Sequence, residues 1–164
     1  EIGASELAFM LRDTDSSSGI GTSVPILDPE RNIALYRALT NAMENNMIRS
    51  AHDCSDGGLS VSLAESCFGF SGGADIDVSE ILLSDDELDE WGALFGESLG
   101  RIIVSVSPEN ATEFEERMEG HAVYKLGKTT SSGKVMISAH GKTILKCDVA
   151  SLKAAWKGTL DRSA

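Results

Sequence analysis

Apolar residues along this chain recur in two spacings, and each spacing marks a kind of element. Leu35, Tyr36, Leu39, Ala42 and Met43 recur at helical intervals. They predict a helix opened by Asp28-Pro29-Glu30 and ended by Asn45-Asn46. Asp28 can accept from free amides, Pro29 suits the first helical position and Glu30 favours the positive end. Leu59, Leu63, Ala64, Cys67 and Phe68 form the stripe of a second helix, from about Gly58 to a stop at Gly69 and Ser71-Gly72-Gly73. Ser84 and Glu87 read as a capping box ahead of Leu88, Trp91, Leu94 and Phe95. Ser107-Pro108-Glu109 caps a helix built on Ala111, Phe114 and Met118, with Gly120 as its stop. A last helix, Val149 to Lys157, is capped by Asp148 and packs through Leu152 and Trp156. Ser5 to Arg12 is helix-like, and Ser16 to Val24 is a Ser/Gly loop.

Strands are predicted where apolar residues alternate or run briefly together. Met47 to Ala51 reads as a short buried strand, Ala74 to Val78 alternates, and Arg101 to Val106 is the clearest strand of all. Ala122 to Leu126, Lys134 to Ser138 and Thr143 to Lys146 follow, separated by turns at Ser131-Ser132-Gly133 and His140-Gly141. Helices and strands interleave first and give way to a strand meander with a closing helix. That order predicts an α+β fold with a mixed or antiparallel sheet of at least four strands, including Arg101 to Val106 and Thr143 to Lys146, and helices mainly on one face. Residues 1–25 read as a helix and loop leading in from a preceding domain, and 26–164 as the α+β domain. The absence of an initiator Met implies a piece cut from a longer protein.

Composition narrows the function. The 164 residues carry a net charge of -12, which opposes nonspecific binding to a phosphate backbone. Three cysteines, Cys54, Cys67 and Cys147, are odd in number and irregular in spacing, so a disulfide framework is not expected. No apolar run is long enough to span a bilayer, no signal peptide is visible, and a cytoplasmic location is the simplest expectation. His52, His121 and His140 lie far apart without suitable cysteines, which argues against zinc. Gly19-Ile20-Gly21 lacks the third glycine and the preceding strand of a dinucleotide fingerprint.

The chemistry concentrates in Ala51-His52-Asp53-Cys54-Ser55-Asp56-Gly57-Gly58-Leu59, polar residues between a strand end and a helix start. Two readings stand side by side. Free amides of Gly57, Gly58 and Leu59 could cradle an anion, with Ser55 donating and Asp53 or Asp56 taking a ribose hydroxyl or, through water, Mg2+. Alternatively Ser55 or Asp56 simply caps the helix. A second segment, Phe95-Gly96-Glu97-Ser98-Leu99-Gly100-Arg101, sets a carboxylate and a guanidinium four residues apart. That pair could meet a ligand, or form a local salt bridge of little energetic consequence.

The stretch AHDCSDGGLSVSLAE, Ala51 to Glu65, resembles the strand–loop–helix signature of the C-terminal domain of phosphoribosylformylglycinamidine synthase. Glu1 to Glu6, Phe95 to Arg101 and Tyr124 to Lys128 resemble further segments of that family, in the same order. Ala4 stands where the family has a second glycine, and Cys54 where it more often has an aliphatic residue. The resemblance implies membership of the superfamily of aminoimidazole ribonucleotide synthase. It also implies an ATP- and Mg2+-dependent conversion of formylglycinamide ribonucleotide to its amidine in purine biosynthesis. ATP would activate the amide oxygen as a phosphorylated imidate, and ammonia from a partner glutaminase, fused or separate, would displace phosphate. His52, Asp53, Ser55, Asp56, Gly57 and Gly58 become candidates for binding substrate or phosphate, with Glu97, Ser98 and Arg101 behind them. The ATP and metal ligands would lie mainly in a preceding nucleotide-binding domain, leaving this piece inactive alone. The alternatives are the equivalent domain of aminoimidazole ribonucleotide synthase or a selenophosphate synthase-like enzyme, or a noncatalytic copy with a structural or auxiliary nucleotide-binding role.

Overall fold

A computed structural model of the chain describes residues 2–11 and 24–158. The predicted Ser/Gly loop therefore lies, apart from Val24, outside the described residues. The chain forms two compact units, one of residues up to Gly58 with Gly96–Val123, the other of Leu59–Phe95 with Tyr124 onward.

The first unit holds helices α1 (Glu6–Leu11) and α2 (Pro29–Glu44), strands β1 (Ile48–Asp53) and β3 (Ile102–Val106), and helix α6 (Ala111–Arg117) after a 3-10 turn at Pro108–Asn110. Asp28 caps α2 as its sequence predicts, its Oδ1 accepting from the Arg31 amide at 3.0 Å. Ala42, Met47, Phe114 and Met118 form the buried core, with Leu35, Ala38, Ile48, Val104 and Val106 packed against them. Helical spacing thus identified the stripe, but Tyr36 and Met43 at its margins are largely exposed. β1 and β3 pair antiparallel from Ile48↔Val106 to Asp53↔Ile102, with a bulge between Ile48 and Ser50. Here the structure corrects two expectations. Residues 102–106 belong to this two-stranded ladder and not to the larger sheet. β1 is also mostly exposed, because a ladder of two strands offers little cover for its second face.

The second unit contains the mixed four-stranded sheet, in the order β4-β2-β5-β6. Its strands are β2 (Gly73–Asp77), β4 (Gly127–Thr130), β5 (Lys134–Ala139) and β6 (Lys142–Asp148). β2 and β5 run parallel at the centre, and the outer pairings are antiparallel. Ala74, Ile76, Val78, Val135, Ile137 and Ala139 are buried. Helix α3 (Gly58–Cys67) opens at the end of the first unit's loop, and α4 (Ser79–Leu82), α5 (Glu90–Phe95) and α7 (Val149–Gly158) complete the element order. Trp156 donates to Glu65 at 2.7 Å, Lys153 donates to the Phe68 carbonyl at 2.7 Å, and the Trp156 and Phe68 rings lie 5.7 Å apart.

Local signals misplaced several boundaries in this unit. The expected strand over 122–126 is irregular, and pairing begins at Gly127. Ser84 does not cap: its hydroxyl donates to the Ile81 carbonyl, and Asp89 caps α5 by accepting from the Gly92 amide at 2.7 Å. Asp148 ends β6 and lies 3.3 Å from Lys134 Nζ, so the cross-strand pair replaces the expected cap.

Asp77, at the end of β2, accepts from the Ser79 amide at 2.8 Å and from the Ser138 hydroxyl at 2.9 Å. Hydrogen bonds from Ser79, through side chain and amide, and then from Ser138 hold its carboxyl below an ordinary aspartate's 3.8. A depressed native pKa gives stability that is present above the unfolded value and lost as pH falls through the native one. In a carbon-detected titration, Asp77 is expected to show a midpoint below 3.8, and Ser138→Ala should raise it. An Asp77 midpoint at or above the unfolded value would contradict this network.

Candidate functional site

The β1–β3 ladder delivers two loops to one place. Its last register pair is Asp53↔Ile102, and the Cys54 amide extends the ladder by donating to the Arg101 carbonyl at 2.9 Å. Segments 54–57 and 96–101 therefore leave the same end of the ribbon, although some forty residues separate them in sequence. A cavity of about 490 Å³ opens there, lined by Tyr36, Asp53, Cys54, Ser55, Asp56, Glu97, Leu99, Gly100, Arg101 and Ile102.

Of the sequence-predicted residues, Asp53, Ser55, Asp56, Glu97 and Arg101 meet at this cavity. His52, Ser98, Gly57 and Gly58 are not among its lining. His52 is half-buried, and its Nδ1 lies 2.7 Å from the Asp53 carbonyl oxygen. The glycines are buried and both take positive φ, 77° and 63°, a conformation that favours glycine. Their amides already have acceptors. Gly57 donates to Glu97 Oε1 at 2.8 Å, and Gly58 donates to the Ser55 carbonyl at 2.9 Å. The expected row of free amides is therefore absent at these two positions, where the protein's own carboxylate and carbonyl occupy the donors.

Glu97 and Arg101 also use backbone partners. Glu97 Oε1 accepts a second bond, from the Glu6 amide at 3.0 Å. Arg101 Nη1 donates to the Gly96 carbonyl at 2.9 Å, which braces the turn between them. Burial lowers the Arg101 pKa from its ordinary value, and the neighbouring Cys54 thiol acts in the opposite direction. The guanidinium nevertheless keeps its charge near neutral pH.

Sequence reasoning missed Tyr36, assigned to a core stripe, and the close fit of Gly100 to α2. Gly100 has φ +81°, and a Cβ there would lie 2.6 Å from Asn32 Oδ1. Asn32 is itself buried. The sequence signal was Asn32, a polar residue at helical spacing from Leu35 and Tyr36 of the apolar stripe.

Asp53, Asp56 and Glu97 set three carboxylates against one guanidinium. That balance suits hydroxyl donors and the carbonyl or phosphate edge facing Arg101, but not a bare triphosphate. Among the described residues no group of His, Cys, Asp or Glu is placed to hold a metal ion, and no helix is long and apolar enough to cross a membrane.

The family described as AIR synthase related protein, C-terminal domain, matches residues 2–139. The chain belongs to this family. Two curated relatives are phosphoribosylformylglycinamidine synthase subunits PurL. That of Lactobacillus helveticus is 43% identical over 122 residues, covering 74% of this chain and 15% of that protein. That of Carboxydothermus hydrogenoformans is 34% identical over 139 residues, covering 84% and 18%. The chain thus spans under a fifth of the length of these relatives. Solved structures share the fold at low identity. Thermotoga maritima PurL complexed with FGAR has a TM-score of 0.71 at 20% identity, covering 85% of this chain and 23% of that one. The same protein complexed with ATP has a TM-score of 0.65 at 20% identity, covering 72% and 21%.

Gly100→Ala tests how tightly the site loop is fitted to α2. The left-handed backbone costs a Cβ-bearing residue about 1–2 kcal/mol, and the Asn32 amide must also move. We expect a loss of stability of at least about 1 kcal/mol in urea unfolding, with Asn32→Ala relieving part of it. A neutral Gly100→Ala would show that this approach imposes no constraint.

Proposed function

We propose that this chain serves as the C-terminal, AIR synthase-like domain of a phosphoribosylformylglycinamidine synthase. There ATP, formylglycinamide ribonucleotide and glutamine-derived ammonia yield the amidine, ADP and phosphate. The observation that carries this reading is the 43% identity over 122 residues to a PurL subunit. The cavity supports it chemically. Asp53 and Asp56 are fitted to accept from ribose hydroxyls, Ser55 to donate, and Arg101 to pair with an anionic or carbonyl oxygen of the ribonucleotide. In the reaction the substrate amide oxygen attacks the γ-phosphorus of ATP and ADP leaves. Ammonia then adds to the imidate carbon, and phosphate departs with the oxygen.

Among the described residues, no group of His, Cys, Asp or Glu is placed to hold Mg2+. The Gly57 and Gly58 amides are occupied, and the carboxylates of Asp53, Asp56 and Glu97 at the cavity repel the anionic oxygens of a triphosphate. Nucleotide and metal binding are therefore assigned to other domains of the longer enzyme, together with the glutaminase partner. Phosphoryl transfer needs positioned cations and aligned reactants, so the chain alone is not a catalyst.

Two experiments test this reading. In the first, the matching segment of a bacterial PurL is exchanged for this chain in a strain that cannot otherwise make purines. Growth without added purine is expected, and Arg101→Ala in that chimera should lower kcat/KM for the ribonucleotide about 10- to 100-fold, the loss of a charged hydrogen bond of about 1.5–3 kcal/mol. A folded chimera that fails to support growth would contradict the assignment. In the second, the purified chain is given ATP, Mg2+, ammonia and formylglycinamide ribonucleotide. No ribonucleotide-dependent ADP release is expected, and its appearance would show a complete catalytic site within these residues.

A further inference from the structure

One carboxylate oxygen joins segments that the sequence holds far apart. Glu97 Oε1 accepts from the amide of Glu6, 91 residues away, and from that of Gly57, 40 residues away. Glu6 is the first residue of α1, where a backbone amide has no acceptor within its own helix. No residue of α1 is buried, and Phe9, Met10 and Leu11 are at least half exposed. Just ahead of it Ser5 is 1% exposed, with its hydroxyl accepting from the Ala8 amide at 3.2 Å. The helix is thus seated at its first turn, beside the buried Ser5.

At the other end of the tie, Gly57 is buried and its φ is +77°. Its amide donates to Glu97 Oε1, so the loop that carries Ser55 and Asp56 is tied to the 96–101 turn at this position.

We propose that Glu97 is a positioning residue that couples the N-terminal segment to the Ser55–Asp56 loop, so that the two are ordered or released together. Its effect on ligand binding rests on the reading of the cavity given above. The tie itself does not depend on that reading. Glu97 lines the cavity, but its effect on ligand binding then runs chiefly through the loop it holds. An amide side chain of the same shape, which keeps an accepting Oε1, should largely replace it.

Amide hydrogen exchange by NMR on the chain tests the tie without ligand. Glu97→Ala is expected to speed exchange at both Glu6 and Gly57 at least tenfold while amides of the four-stranded sheet are unchanged. Glu97→Gln should stay within about threefold of the unsubstituted chain. Calorimetric titration with formylglycinamide ribonucleotide should follow the same order, with Kd at least tenfold weaker for Glu97→Ala and within threefold for Glu97→Gln. Unchanged exchange at either amide in Glu97→Ala would overturn the coupling. A Glu97→Gln variant that keeps both amides protected but binds as weakly as Glu97→Ala would also overturn the proposal, by showing that the charge itself meets the ligand. If the unsubstituted chain binds no ribonucleotide, the cavity's assignment fails, and the exchange rates alone decide the tie.

Discussion

The antiparallel pairing of β1 with β3 is the constraint on which the candidate site depends. Nothing local relates the polar run after Asp53 to the turn before Ile102. Their proximity follows from a register that ends at that residue pair and is extended by one bond from Cys54 to Arg101. A slip of one residue would send every side chain of a strand to its other face. The bulge between Ile48 and Ser50 lies at the far end of the ladder, away from the cavity. Pairing next to the site is therefore regular, and the two loops emerge in a defined relation.

Polar groups around the cavity are arranged to satisfy one another before any ligand arrives. A buried amide without an acceptor costs about 1–3 kcal/mol, and the Gly57 amide avoids that cost through Glu97. The local sequence looked like an anion cradle because glycines before a helix usually expose donors. What it could not reveal was that an anion from the same chain already fills the place. Ligand chemistry here rests instead on side chains, chiefly Asp53, Ser55, Asp56 and Arg101.

The parts of the fold legible in the sequence were those decided by local chemistry. Asp28 and Pro29 started α2 where they were expected, and the runs around Val135 and Ile144 gave β5 and β6. The α+β class and the mixed four-stranded sheet followed from element order. Legibility failed where tertiary pairing decides. The apolar run 102–106 reads the same whether its partner is β1 or a central strand, so its sheet could not be assigned. Ser84 and Asp148 have the right chemistry for caps, but a nearby carbonyl and Lys134 competed for them. For the site, five of the nine predicted residues converge on the cavity. Tyr36 and Gly100 escaped notice because their roles arise from contacts across the unit.

The strand order also bears on how the protein behaves in a crowded solution. Among the described residues, β4 and β6 form the borders of the four-stranded sheet, each with a strand partner on one side only. Such borders invite pairing with another molecule, and natural sheets discourage it with lysine. Lys128 in β4, and Lys142 and Lys146 in β6, are exposed on those strands. Bringing two copies together edge to edge would crowd these ammonium groups against one another. Lysines so placed are one means by which sheets with open borders oppose edge-to-edge growth.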